Sequence, residues 1–256
     1  MRLGTTSYIY RDDVLPNVKK LAGKVEDIEL VVFEYNDELN SLVERDTISE
    51  LKKIASDHGM TYTVHLPLDL RLADDGSDGS RERACRVVEA TVELEPYAFV
   101  VHLEGAADSA TCDRKKAVWN SLKSLEALGK EAGDLGRLCV ENLEGPLAVR
   151  PEEVLDELPV ACCIDIGHLW KQGRSPLPYL EKLLPRTKVV HLHGVGSRDH
   201  VGLSAMPESS IDPVLGLLTE RFQGVLTFEV FSEKDLLDCL ESYRRCGERL
   251  KRLGRE

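Results

Sequence analysis

Imidazoles and carboxylates recur at one place in the pattern of this 256-residue chain, the C-terminal end of short β-branched or apolar runs. The runs read VHLP (His65), VVHLEG (His102), CVENLEG (Glu141), CIDIGH (Asp165, His168), VVHLHG (His191, His193) and LTFEVF (Glu229), with Asp199 and His200 between the last two. Six of the seven histidines fall in this set. Nitrogen and carboxylate oxygen are the donors that zinc, manganese and iron share, and a buried cluster of them is costly without a cation. The chemistry expected is that of a divalent-metal site.

A site drawn from so many runs needs elements that bring their ends together. Apolar runs at about residues 2–7, 28–33, 60–65, 98–103, 137–142, 160–165, 187–192 and 224–230 alternate with helical patterns, which predicts parallel strands joined by crossover helices. Eight such units in 256 residues predict an α/β fold with a single (β/α)8 barrel domain over 1–256. In that architecture the C-terminal strand ends converge on one mouth. A lone histidine at a strand end is as often a structural hydrogen-bonding residue as a ligand, but donors on six successive strands point to a site. Gly105, Gly145, Gly167 and Gly194 lie beside the donor strands, where a missing Cβ suits a crowded site as well as an ordinary loop.

The connecting segments carry structural signals only. Val14, Leu15, Val18, Leu21 and Ala22 make one apolar helix face. Thr47 with Glu50 reads as a capping box, and Asp212 before Pro213 as N-cap and N1. The last helix is expected from Ser232, burying Leu236, Leu237, Leu240 and Tyr243. Residues 67–81, PLDLRLADDGSDGSR, form a longer polar connection at the mouth, expected to be mobile in its Asp/Gly/Ser-rich middle.

Composition narrows the function classes. With 33 basic and 45 acidic residues the formal charge is −12, which argues against a duplex-tracking protein or one bound to anionic lipid. Seven cysteines without a CxxC pair suit a reducing compartment. The N-terminal stretch has no apolar leader, and no run approaches the ~20 residues of a membrane span. A cytoplasmic protein acting on a small molecule is expected.

Taken together, VHLP, VVHLEG, CVENLEG, CIDIGH, VVHLHG and TFEV resemble the xylose isomerase-like barrel superfamily and, within it, the endonuclease IV branch. The resemblance implies one metal on His65, His102 and Glu141, and a second on Glu141, Asp165, His191 and Glu229, with Glu141 bridging. It implies a third on His168, Asp199 and His200, although in the endonuclease branch the Asp and His of this pair are one residue apart and here they are adjacent. His193 is expected as an outer hydrogen-bond donor or substrate contact.

The stretch GTTSYIYRDDVLPNVKKLAGKVEDIELVVFE, with VHLPLDLRL and HLHGVGSRDH, resembles more narrowly the cobamide-remodelling phosphodiesterases, which open the nucleotide loop of corrinoids. That likeness implies substrate contacts from Tyr8, Tyr10, Glu34 and Arg198. The expected activity is hydrolysis of a phosphodiester assisted by two or three divalent ions, with Glu141 and Glu229 as catalytic carboxylates. The main alternative is a one-metal sugar or keto-acid isomerase or epimerase, in which the same two glutamates shuttle a proton beside a carbonyl. Cleavage of abasic DNA and non-catalytic corrinoid or metal binding rank below both.

Overall fold

The computed structural model describes residues 1–33, 45–105, 113–144 and 149–253. Its strands are β1 (Arg2–Thr6), β2 (Asp27–Val31), β3 (Thr61–His65), β4 (Ala98–Val101), β5 (Leu138–Glu141), β6 (Ala161–Asp165), β7 (Thr187–Leu192) and β8 (Val225–Phe228). All pair in parallel in chain order, and β8 returns to β1 to close an eight-stranded barrel. The helices are α1 (Val14–Leu21), α2 (Arg45–His58), α3 (Ser80–Thr91), α4 (Arg114–Ala132), α5 (Ile166–Lys171), α6 (Leu177–Leu183), α7 (Glu208–Arg221) and α8 (Glu233–Leu253).

Strand side chains alternate between two faces, so each run divides into a lumen set and a helix-facing set. Ile28, Leu30, Tyr62, Val64, Phe99, Val101, Val140, Ile164, Val190, Leu192 and Phe228 belong to the large apolar cluster between sheet and helices. Each such residue, fully buried, contributes about 1.5–3 kcal/mol. A second, small cluster of Ala98, Val100, Cys139, Ala161, Cys163 and Val189 lies inside the barrel. Val100, Cys139, Cys163 and Val189 each stand two residues before a donor, on the same strand face, so an apolar layer floors the mouth beneath β4 to β7.

One irregularity sets the register of that floor. Between β6 and β7 the pairing passes from Cys162 opposite Thr187 to Cys163 opposite Val189, leaving Lys188 as an extra residue. The bulge brings Asp165 opposite His191 with both side chains inward.

Several local expectations are corrected. Thr47 is the third residue of α2, inside the helix rather than its cap. α7 starts at Glu208, so Pro213 lies within it and costs one backbone bond, while Asp212 pairs with Arg249. Leu237 on α8 is exposed, whereas Ser232 does cap that helix, its hydroxyl accepting from the Asp235 amide. The 67–81 connection enters its Asp/Gly/Ser-rich middle from an anchored stretch: Leu70 and Leu72 are buried, the Ser124 hydroxyl donates to Leu72 O, and Asn120 donates to Ala73 O. No helix among the described residues is long and apolar enough to cross a membrane.

Candidate metal centre

At the C-terminal mouth the donors gather into sets whose ligand atoms lie within 4.8 Å of one another: first His65, His102 and Glu141; second Glu141, Asp165, His191 and Glu229; third Asp165, His168, His193 and His200; and Cys163 makes a further set with Glu141 and His191. Glu141 links the first two. Its Oε2 faces His102 Nε2 at 2.9 Å and His65 Nε2 at 3.4 Å, while its Oε1 faces His191 Nδ1 at 3.4 Å and His168 Nδ1 at 3.8 Å. Glu229 Oε2 lies 3.3 Å from both His191 Nδ1 and His200 Nε2.

These residues fit divalent cations on a direct test. Asp165 Oδ2, His191 Nδ1, His193 Nε2 and Glu229 Oε2 are all buried and make no hydrogen bond. Buried polar atoms are almost always partnered, so the orphans of Asp165, His191 and Glu229 in the central set, with that of His193 beside Asp165 in the third, mark positions suited to ions. The mixed nitrogen and oxygen donors suit zinc, manganese or iron.

The surrounding atoms fix which ring nitrogens are free. A carboxylate or carbonyl can only accept, so His191 donates from Nε2 to Glu29 Oε2 at 2.9 Å, and Nδ1, which faces Glu141 and Glu229, is the nitrogen that would bind an ion on losing its proton. His65 donates from Nδ1 to Leu66 O at 2.7 Å, which frees Nε2. His193 Nδ1 is 3.1 Å from both Gly194 O and the His200 amide. Donation to the carbonyl leaves Nε2 open to an ion, whereas acceptance from the amide places the proton on Nε2, which then faces Asp165 Oδ1 at 3.4 Å.

Without ions the cluster is an imidazolium–carboxylate network. Burial opposes charging His65, but Glu141, with Glu29 and Glu229, pushes the ring up to about 9. Burial also opposes charging His191, which Cys163 and the carboxylates of Glu29, Glu229 and Glu141 raise well above its usual value. Since burial keeps the Cys163 thiol protonated, the carboxylates carry that effect. Burial alone would raise Glu141 and Glu229, yet His191 and His102 hold the first, and His191 and His200 the second, well below the usual carboxylate range.

The backbone makes room for the crowding. A Cβ on Gly167, in the first turn of α5, would overlap the His193 ring, and one on Gly194 would overlap Gly202 O. His200 takes a left-handed backbone, φ +53°, at the turn that carries its ring over the site. The Asn142 side chain ties the ends of β5 and β6, accepting from Asp165 N at 2.8 Å and donating to Asp165 O at 3.0 Å.

The expected site residues do not all meet. His65, His102, Glu141, Asp165, His168, His191, His200 and Glu229 share the mouth, and His193 lies among the third set's donors. Asp199 stands outside that set, its Oδ2 held by Lys171 Nζ at 2.6 Å. Arg198 pairs with Asp235, and the Tyr10 hydroxyl donates to Glu233 at 2.8 Å. Tyr8 is 46% exposed and packs edge-on against Phe33, while Glu34 and Gly145 lie outside the described residues. Glu29, Asn142 and Cys163 were not anticipated. Glu29 had a signal: a carboxylate at an inward position of the apolar run IELVV needs a buried partner.

Residues 23–252 match the xylose isomerase-like TIM barrel family. Among solved structures, a D-tagatose 3-epimerase-like protein superposes with a TM-score of 0.81 at 20% identity, covering 98% of this chain and 99% of its own. Endonuclease IV from Thermus thermophilus gives 0.74 at 20% identity over 97% and 100%, and a D-psicose 3-epimerase gives 0.70 at 18% over 96% of each. At such identities the likeness establishes the fold alone. No curated protein sequence matches the chain. The match over residues 23–252, together with a closed barrel in chain order, makes this chain a member of the xylose isomerase-like TIM barrel family.

Proposed function

We propose that the protein is a phosphodiesterase using two or three divalent ions, with the nucleotide loop of a cobamide as its substrate. The observation that carries the multi-ion reading is Glu141, whose two oxygens face different histidine sets: Oε2 toward His65 and His102, Oε1 toward His191 and His168. A one-ion isomerase needs only the central set of Glu141, Asp165, His191 and Glu229. Beyond that set the mouth holds five further histidines, His65, His102, His168, His193 and His200, each facing a carboxylate, and of these His65 and His102 on Glu141 Oε2 favour more than one ion.

Divalent ions held by these donors would supply Lewis-acid polarisation of a phosphoryl oxygen and would stabilise charge on the leaving oxygen. The chain's part is to hold the donors. Glu29 keeps His191 in the tautomer that presents Nδ1, and Asn142 fixes the strand end that carries Asp165. The rim cations Lys171 and Arg198 are each paired with carboxylates, so neither is free to neutralise a phosphate. The cobamide assignment rests on the sequence resemblance, and the net charge of −12 favours a small substrate over a nucleic acid.

A second reading has its own support. Glu141 Oε1 and Glu229 Oε2 approach His191 Nδ1 at 3.4 and 3.3 Å, the arrangement by which two carboxylates could flank one ion and exchange a proton with a ketose. Metal analysis of the purified protein, with product analysis on a cobamide, a generic phosphodiester and a ketose, separates the two. Two or three ions per chain with phosphodiester turnover, lost in Glu141→Ala, is the expected result. One ion per chain with an epimerised ketose overturns it.

A further inference from the structure

The third donor set is presented by an excursion after β7. Gly194 and Val201 form an antiparallel bridge at its base, the Asp235 carboxylate accepts from the Gly202 amide at 3.0 Å, and His200 sits at the tip with its left-handed backbone. Beside it, Asp199 spans two contacts. Its Oδ1 lies 3.3 Å from His200 Nδ1, and its Oδ2 lies 2.6 Å from Lys171 Nζ, which also reaches Glu144 at 3.1 Å. Lys171 ends α5, the helix that starts immediately after Asp165 and includes His168. The chain Glu144, Lys171, Asp199, His200 therefore ties together the loops following β5, β6 and β7.

We infer that Asp199 and Lys171 are positioning residues: Asp199 accepts the Nδ1 proton of His200, so that Nε2 is turned with its lone pair toward the ion of the third set, and Lys171 holds Asp199 in that role. This rests on the multi-ion reading above. Direct ligation by Asp199 would leave Lys171 without its shortest partner and His200 without an acceptor at Nδ1. A carboxylate behind a ligating histidine sets the tautomer and raises the ring's basicity, and its loss ordinarily weakens metal binding about ten- to a hundredfold.

The sign of one substitution separates this arrangement from simple charge. Removing a nearby lysine should tighten cation binding if Lys171 acts only through its field. If Lys171 holds Asp199 in place, Lys171→Met instead weakens it. The experiment is competition for zinc between the stripped protein and a chromophoric chelator, with folding checked by circular dichroism and no substrate present.

The expected result is a several-fold loss of affinity for one ion in Lys171→Met, recovered in Lys171→Arg, and about a ten- to hundredfold loss in Asp199→Ala. Asp199→Asn, whose amide oxygen still accepts from Nδ1, should fall between Asp199→Ala and the wild type. In the double variant Lys171→Met/Asp199→Ala the loss should equal that of Asp199→Ala alone. Zinc binding in Lys171→Met as tight as in the wild type, or tighter, overturns the inference while leaving the multi-ion reading intact. A wild-type protein that takes up a single zinc overturns both.

Discussion

Stripping the ions and raising the pH should destabilise this protein in a defined window. In the metal-free cluster His65 is raised, against the effect of burial, from 6.5 to about 9 by carboxylates, chiefly Glu141. At ~1.4 kcal/mol per pH unit that difference corresponds to about 3.5 kcal/mol, an upper bound because the groups titrate together. For a base raised on folding, the contribution is complete below the unfolded value of 6.5 and disappears as the pH climbs through about 9. Glu141 and Glu229 are depressed on folding, so their contribution holds above about 4.5 and is lost as the pH falls below it.

The stripped protein should therefore be most stable between about pH 4.5 and 6.5 and lose roughly 6–12 °C of melting temperature by pH 9. Bound cations require unprotonated rings, so the stabilisation gained on adding metal should grow over the same interval in which the stripped protein weakens. Scanning calorimetry of chelator-treated and zinc-loaded samples from about pH 5 to 9.5 reads both curves. A stripped protein whose melting temperature stays flat or rises between about pH 6.5 and 9 would falsify the imidazolium–carboxylate description of the cluster.

Two further substitutions test the geometry. Gly167→Ala places a methyl in the volume of the His193 ring; it should cost about 1–3 kcal/mol of stability and release the ion of the third set, with the other ions retained, as read by metal stoichiometry. Unchanged stoichiometry would show that His193 is not a ligand. Glu29→Gln keeps an acceptor for His191 but removes the charge behind it, so affinity at the central set should fall roughly tenfold or more in chelator competition, while wild-type affinity would mean that the Glu29 charge does not strengthen His191 as a donor.

Much of this arrangement was legible because strand periodicity and barrel topology act together. Once the eight runs are read as strands in order, period two decides which side chains enter the lumen, and the barrel brings His65, His102, Glu141, Asp165, His191 and Glu229 to one rim. What stayed hidden depends on contacts between segments. The capping-box reading at Thr47 failed because α2 already includes Arg45 and Asp46. Composition marks the Asp/Gly/Ser-rich middle of the 67–81 connection but not the stretch before it, where Leu70 and Leu72 are buried and α4 side chains bond to the carbonyls of Leu72 and Ala73.

The third donor set shows where pattern reading stops. His193 stands two residues after His191, so the alternation that turns one ring inward turns the other inward as well, and its place among the donors follows from the sequence. Asp199 had the stronger claim by proximity, as an acid adjacent to His200. Adjacent residues on a tight turn need not point the same way, and here the left-handed His200 carries its ring over the lumen while Asp199 turns to Lys171, the last residue of a helix 28 positions earlier. No spacing rule reaches that lysine, because the contact exists only once β6 and β7 are side by side in the closed barrel. The inner donors are thus set by strand register, and the atoms that orient them by loops that meet only after the register is formed.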